Sequence, residues 1–300
     1  MISNLLLIFT ALIWGIAFVA QSVGMDHVGP WTFVFFRYLL SSAVLVPVSI
    51  ITGKRIRKNT PAQNRQPVRE YIKGGVICGA FLGFASISQQ AGLMYTTAGK
   101  AGFITALYVV IVPVLGLVIG LKPPKQIWIC VALGLAGLYL ISVKEGFSIE
   151  AGDALVILCA FLFSGQILSI DHFSPGVENA VLLSNLQFAV AAVIGGIGML
   201  IFEKPVMADV LAAAVPILYA GVMSGAVGYT LQIIAQKNTD PAVASLLMSL
   251  ESVFSALAGW VILGQSLSLR ELAGCALVMA AVIFAQIPLK RRSQSGPGQL

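Results

Sequence analysis

The feature that most constrains this chain is a succession of apolar runs, each about 20 residues long, joined mostly by short polar connections. A helix of that length rises about 30 Å, the thickness of the hydrocarbon layer of a bilayer. A 300-residue soluble globule has no core that could bury so many such runs. The composition agrees, with 58% apolar and only 10% charged residues, where a soluble domain carries about 25% charged residues. Backbone groups in lipid must be satisfied within the structure, which leaves helices or a closed barrel, and the runs lack the alternation of barrel strands. The chain therefore reads as an all-α polytopic membrane protein.

Ten spans are expected, at about 4–23, 30–52, 72–94, 98–120, 125–143, 152–172, 179–202, 210–234, 241–263 and 268–288. Pro30, Pro61, Pro123, Pro124, Pro175, Pro205 and Pro241 fall in the connections or at first helical positions, where a missing N–H costs little. One connection stands out: 53–73 holds Lys54, Arg55, Arg57, Lys58, Arg65, Arg69 and Lys73 against the single acid Glu70. The positive-inside rule makes it cytoplasmic. Counting alternately from it adds Lys122, Lys125, Lys237, Lys290, Arg291 and Arg292 to the same side and leaves Lys100, Lys144, Lys204 and Arg270 opposite. Both termini are then cytoplasmic, as expected for a multi-pass protein of a bacterial inner membrane.

The basic loop does not call for nucleic acid, because topology alone requires it and no aromatic platform accompanies it; contact with anionic headgroups is the expected consequence. Cys78, Cys130, Cys159 and Cys275 lie within spans without metal-ligand spacing and read as small packing residues. His27 and His172 sit near span ends on opposite sides, with no ligand set around either, so neither a metal nor a cofactor is expected. A cleavable leader is not expected either. Gly79 with Gly83 and 195–198 follow no strand, so they read as sites of close helix contact and not as a nucleotide loop.

An internal repeat organises the spans. Laying 105–116 over 248–259, an offset of 143 residues, pairs Leu107 with Leu250, Val114 with Leu257 and Gly116 with Gly259. The same offset makes each segment the fourth span in a set of five. A five-helix unit ends on the opposite side of the membrane from where it began, so its second copy inserts upside down. The expected architecture is ten transmembrane helices as two inverted five-helix repeats, 1–146 and 147–289, followed by a basic cytoplasmic tail, 290–300.

Glu251 lies about 15 Å along its helix from either end of the ninth span, at about 1.5 Å per residue. A carboxylate there costs about 2.5–3.5 kcal/mol on insertion scales and is a functional-site candidate by default. It is too deep to snorkel out, so it must be protonated, paired or facing water. Ala244, Met248, Glu251, Ser255 and Ala258 recur at spacings of four and three on one face, small and polar enough to line a cavity. Two readings stay open: Glu251 takes up and releases a proton, or it forms a permanent ion pair with Arg37, a third of the way into the second span. Lys100, opening the fourth span, reaches headgroups or attracts a substrate carboxylate. Trp14 is deeper than a belt tryptophan and either packs or stacks on substrate. Gln21, Gln89, Gln90, Gln166, Gln187, Tyr108, Tyr229 and Gln232 are expected to bond between helices.

Four segments carry a resemblance: 11–15 with Trp14 and Gly15, 36–42 with Phe36 and Arg37, 95–105 with Tyr95, Lys100 and Thr105, and 249–254 with Glu251. Together they resemble the EamA-like family of the drug/metabolite transporter superfamily. Ser252 departs from the pattern, since many relatives carry proline after the glutamate. The resemblance implies ten helices in two inverted repeats and secondary transport of small metabolites or drugs, most often export. It also implies that the third, fourth, sixth and ninth helices surround a central cavity, which promotes Gln89, Tyr108 and Gln166 to site candidates beside Glu251, Lys100, Arg37, Trp14 and Ser255.

An intramembrane enzyme would need paired carboxylates, a nucleophile with its base, or metal ligands at the midplane, and Glu251 stands there alone. A channel would show a ring of like charges or a repeated pore helix. A membrane scaffold would need neither a midplane acid nor a duplication. The expected function is a secondary active transporter, an exporter of metabolites such as amino acids or of drugs, working by alternating access with proton coupling through Glu251. An uncoupled facilitator and an importer are the alternatives within the class. Its partners are a small-molecule substrate, protons and the bilayer, and it is a monomer or homodimer.

Overall fold

The computed structural model describes residues 2–59, 61, 66–96, 98–142, 151–264 and 266–287, all helix, turn and connection without a strand among them. Arg65, Lys144, Lys290, Arg291, Arg292, the junction of the expected repeats and the basic tail lie outside the described residues. In chain order the helices are α1 (Ile2–Met25), α2 (Pro30–Asn59), α3 (Val68–Leu93), α4 (Ala98–Thr105), α5 (Tyr108–Val118), α6 (Lys125–Ser142), α7 (Ala151–Phe173) and α8 (Ala180–Phe202). They continue with α9 (Met207–Ala212), α10 (Ala214–Leu218), a wide π-helical segment Tyr219–Tyr229, α11 (Thr230–Gln236), α12 (Pro241–Met248), α13 (Leu250–Leu263) and α14 (Leu269–Gln286). Among the described residues nine helical stretches are long and apolar enough to cross a membrane; the stretch expected at 125–143 is a shorter apolar helix instead.

Their outer faces are greasy, with Val118 and Leu200 each 79% exposed. Polar side chains such as Gln90, Gln187 and Ser249 are fully buried. That pattern inverts a soluble protein and suits a lipid surround. α2 outruns its expected end by two turns, because Lys54, Arg55, Arg57 and Lys58 extend the helix beyond the apolar run and place cations at its C-terminus.

Helix starts follow local chemistry. Asp240 accepts from the backbone N–H groups of Ala242 and Val243 ahead of Pro241, and Asn179 accepts from Leu182 at the start of α8. Ser268 and Glu271 form a reciprocal capping box on α14. Gly264, at φ +66°, ends α13 in the left-handed conformation that glycine adopts without a Cβ penalty.

The packing pairs α2 with α8, α3 with both α7 and α8, α6 with α14, and α1 with α13. α1 also packs along the π-helical segment and α11. Two expected spans are bent at mid-length. Between α4 and α5 the N–H of Leu107 bonds Ile104 and that of Val109 bonds Ala106, a tightened 3₁₀ turn. Between α12 and α13 the N–H of Ser252 bonds Ser249 in the same way. Here the hydroxyls of Ser245 and Ser249 bond back to the carbonyls of Ala242 and Leu246, which bends a helix without proline.

Candidate functional site

The two bends face each other. Tyr108, the first residue of α5, donates its hydroxyl to Glu251 Oε1 at 2.8 Å across the bundle centre. Glu251 is 4% exposed and sits in the first turn of α13, where the helix dipole favours a negative charge. α1 is brought against it by Gly15: a Cβ there would lie 2.5 Å from Phe254 Cβ and 2.8 Å from the Glu251 carbonyl oxygen.

These elements line a cavity of about 30 Å³, room for about two waters. Six of the expected site residues line this cavity: Trp14, Arg37, Gln89, Tyr108, Gln166 and Glu251. The lining is completed by Ala17, Phe18, Gln21, Thr105, Phe163, Ile167, Ser224, Tyr229 and Gln232. Two candidates lie elsewhere. Lys100 is not in the lining; its ammonium pairs with the buried carboxylate of Asp153 at 2.5 Å, and Thr96 donates to the same carboxylate at 2.9 Å. Ser255 lies on the α13 face that abuts Gly15, at the close approach of α1.

Arg37 is nearly as buried as the core, 3% exposed. It does not snorkel outward. Its two terminal nitrogens donate to Gln21 Oε1 on α1 at 3.0 Å and to Ser224 Oγ on the π-helical segment at 2.9 Å. Its carbon lies 5.1 Å from the ring centre of Tyr38, and its Nε–H is buried without a hydrogen-bond partner. The permanent Arg37–Glu251 ion pair is not formed: among the described residues the two pairs within 4 Å are Lys73–Glu70 and Lys100–Asp153. Arg37 and Glu251 thus share a cavity while bonding different neighbours.

The rest of the lining is amide and aromatic. Gln166 and Gln232 exchange hydrogen bonds at 3.3 and 3.4 Å, with Gln187 at 3.5 Å from Gln166. Gln89 donates to Thr105 at 3.1 Å. Trp14 donates to the Ser224 carbonyl at 3.1 Å and lies 4.6 Å from Tyr229, ring centre to ring centre. Ser224 escaped the sequence reading. It sits in a glycine-rich stretch with no polar neighbour to mark it, and only the fold brings it to Arg37. Tyr229 and Gln232 were legible as polar residues in a span but carried no sign of which face they occupied. Among the described residues no cluster of three or more His, Cys, Asp or Glu could hold a metal.

The chain is similar to known proteins along most of its length. The pattern of the EamA-like transporter family matches residues 1–143 and again 150–286. An uncharacterized transporter of Archaeoglobus fulgidus is 29% identical over 286 residues, covering 95% of this chain and 86% of that protein. The uncharacterized transporter YoaV of Bacillus subtilis is 23% identical, covering 95% of this chain and 97% of its own length. The uncharacterized inner membrane transporter YedA of Escherichia coli K12 is 20% identical, covering 92% and 88%. One solved crystal structure superposes with a TM-score of 0.76 at 18% identity, covering 95% of this chain and 96% of the other, and so shares the fold. With both halves matched, the chain belongs to the EamA-like transporter family, whose members are membrane transporters and not enzymes.

Proposed function

We propose that this protein is a secondary active exporter of small metabolites, amino acids or drugs among them, and that it works by alternating access with Glu251 as the proton-coupling group. The observation that carries the reading is the Tyr108–Glu251 hydrogen bond at 2.8 Å, which joins two interrupted helices at the central cavity. Bent or interrupted helices meeting at mid-membrane are where secondary transporters hold substrate and ions. Among the described residues Glu251 has Tyr108 as its hydrogen-bond neighbour and no cation paired with it, so proton uptake and release are not blocked by a salt bridge.

The same reading includes ten helices in two inverted five-helix repeats, 1–146 and 147–289. Residues related by a two-fold axis touch only if they lie on it. Tyr108 and Glu251 are 143 residues apart, and so are Ser42 and Asn185, which bond at 2.6 Å. Both pairs repeat the offset of the internal alignment. On this reading both termini are cytoplasmic and the protein resides in a bacterial inner membrane, as YedA's name states for YedA.

Proteoliposome transport of a panel of amino acids, organic acids and organic cations, with an internal pH dye, tests the proposal. Wild-type protein is expected to move substrate together with protons, and Glu251→Gln to fold normally while losing proton-coupled flux. Equal flux in both without a pH signal would make the protein a facilitator and remove Glu251 from coupling.

A further inference from the structure

Arg37 is the cavity's least explained group, and its chemistry differs from that of Glu251. A carboxylate taken out of water can become neutral by binding a proton, but a guanidinium does not give up its proton in a protein. A permanent cation in a low-dielectric site is costly unless an anion accompanies it. Arg37 is 3% exposed, about 11 Å along α2 from Pro30 at about 1.5 Å per residue. Its hydrogen-bond partners, Gln21 and Ser224, are neutral. The Tyr38 ring at 5.1 Å compensates only part of the charge. Among the described residues no acid lies within 4 Å of it, and its buried Nε–H has no acceptor.

The guanidinium is also held in place. α1 supplies Gln21, the π-helical segment supplies Ser224, and Trp14 of α1 bonds the Ser224 carbonyl, so two elements fix both terminal nitrogens while the Nε–H is left without an acceptor. A planar, preorganised guanidinium with a donor left over suits a carboxylate.

We infer that Arg37 is the carboxylate-binding group of the cavity, so that the transported molecules are organic acids or zwitterions and not simple amines. Gln21 and Ser224 are its positioning residues. This rests on the transporter reading above. Lys100, the other candidate for that task, is already neutralised by Asp153 outside the cavity.

The test uses the full chain in proteoliposomes with phenylalanine, phenylalaninamide and N-acetylphenylalanine, against protein-free vesicles and alongside the panel already named. The ring is chosen because aromatic side chains wall the cavity. Among whatever compounds move, those with a carboxylate are expected to be carried about tenfold faster than their amides, the effect of about one charge-assisted hydrogen bond. Arg37→Gln is expected to abolish that preference. Should Arg37→Gln not fold, Arg37→Lys keeps the charge without the fork and is expected to raise KM for carboxylates about tenfold with kcat largely kept. Amides or amines carried as fast as the matching acids, or KM unchanged in Arg37→Lys, would overturn the inference while leaving a transporter. No movement of any compound in the wider panel would overturn the transporter reading and this inference with it.

Discussion

Two seams run through this molecule, and they are built differently. Along the first, α2 and α8 are bolted at both ends and at mid-length. The carboxylate of Glu203, just past α8, accepts from the N–H groups of Trp31 and Thr32 and from the Thr32 hydroxyl, at 3.0, 2.8 and 2.6 Å. At the other end Asn179 donates to the Ser49 carbonyl and accepts from Thr52, while Tyr71 accepts from the N–H groups of Glu178 and Asn179. Ser42 and Asn185 close the centre. Across the second seam the bent pairs α4–α5 and α12–α13 share one long side-chain bond, Tyr108 to Glu251, and one weaker contact from Ser252 to the Gly102 carbonyl at 3.4 Å. Helix ends with their orphan N–H groups satisfied in trans make a rigid frame. A mid-membrane seam of apolar contacts with few side-chain hydrogen bonds can re-pack at less cost, which is what an alternating machine requires.

The contrast can be broken at Gly15, where the largest effect is expected. Gly15→Ala puts a methyl 2.5 Å from Phe254 Cβ, and such overpacking costs about 1–3 kcal/mol. Thermal melting in detergent should fall clearly and coupled flux should be lost as α1 is pushed from α13. An unchanged melt would mean that this seam is slack in solution.

On the frame side, Glu203→Ala removes a cap worth about 1–2 kcal/mol. Its melt should drop while the protein that survives keeps wild-type KM and proton stoichiometry. Altered coupling would show that the α2–α8 seam moves during transport.

Tyr108→Phe sharpens the opposite corner, because a hydrogen bond between helices in a membrane is worth about 0.6 kcal/mol. Its melt should barely change, yet the pH profile of flux should shift, since Glu251 loses its hydroxyl partner. An unchanged pH profile would separate the bond from coupling.

The smallest effect is expected at Asp240, outside the spans, where burial raises the carboxyl above its ordinary 3.8 and the N–H groups of Ala242 and Val243 pull it partly back down. A folded value above the unfolded one means that the group favours the folded state most at low pH and loses this as pH rises through its folded value. Asp240→Asn keeps the cap, so its melt should vary less with pH across that window than that of the wild type. A parallel pH dependence in both would assign the effect to another group.

Much of this was legible in the residues. Run length and low charge sufficed for membrane helices because hydrophobic partitioning depends on composition over a window and not on partners. Glu251 was legible because an acid in hydrocarbon is costly wherever its helix packs. Trp14, Arg37, Gln89, Tyr108 and Gln166 were named with it and all reach the cavity. Lys100 was legible only as a charge near a span end, and the fold gave it Asp153, which is fully buried.

What the sequence by itself determined is therefore the solvent of the protein, most of its helix ends and the presence of a charged centre, since these follow from local free energies of single residues and turns. Only the tertiary structure decided that Arg37 and Glu251 share a cavity without pairing and that Ser224 reaches the guanidinium. Those outcomes depend on which helix faces cross. Such crossings are set by close approaches at residues like Gly15, whose effect is felt only when the second helix is in place.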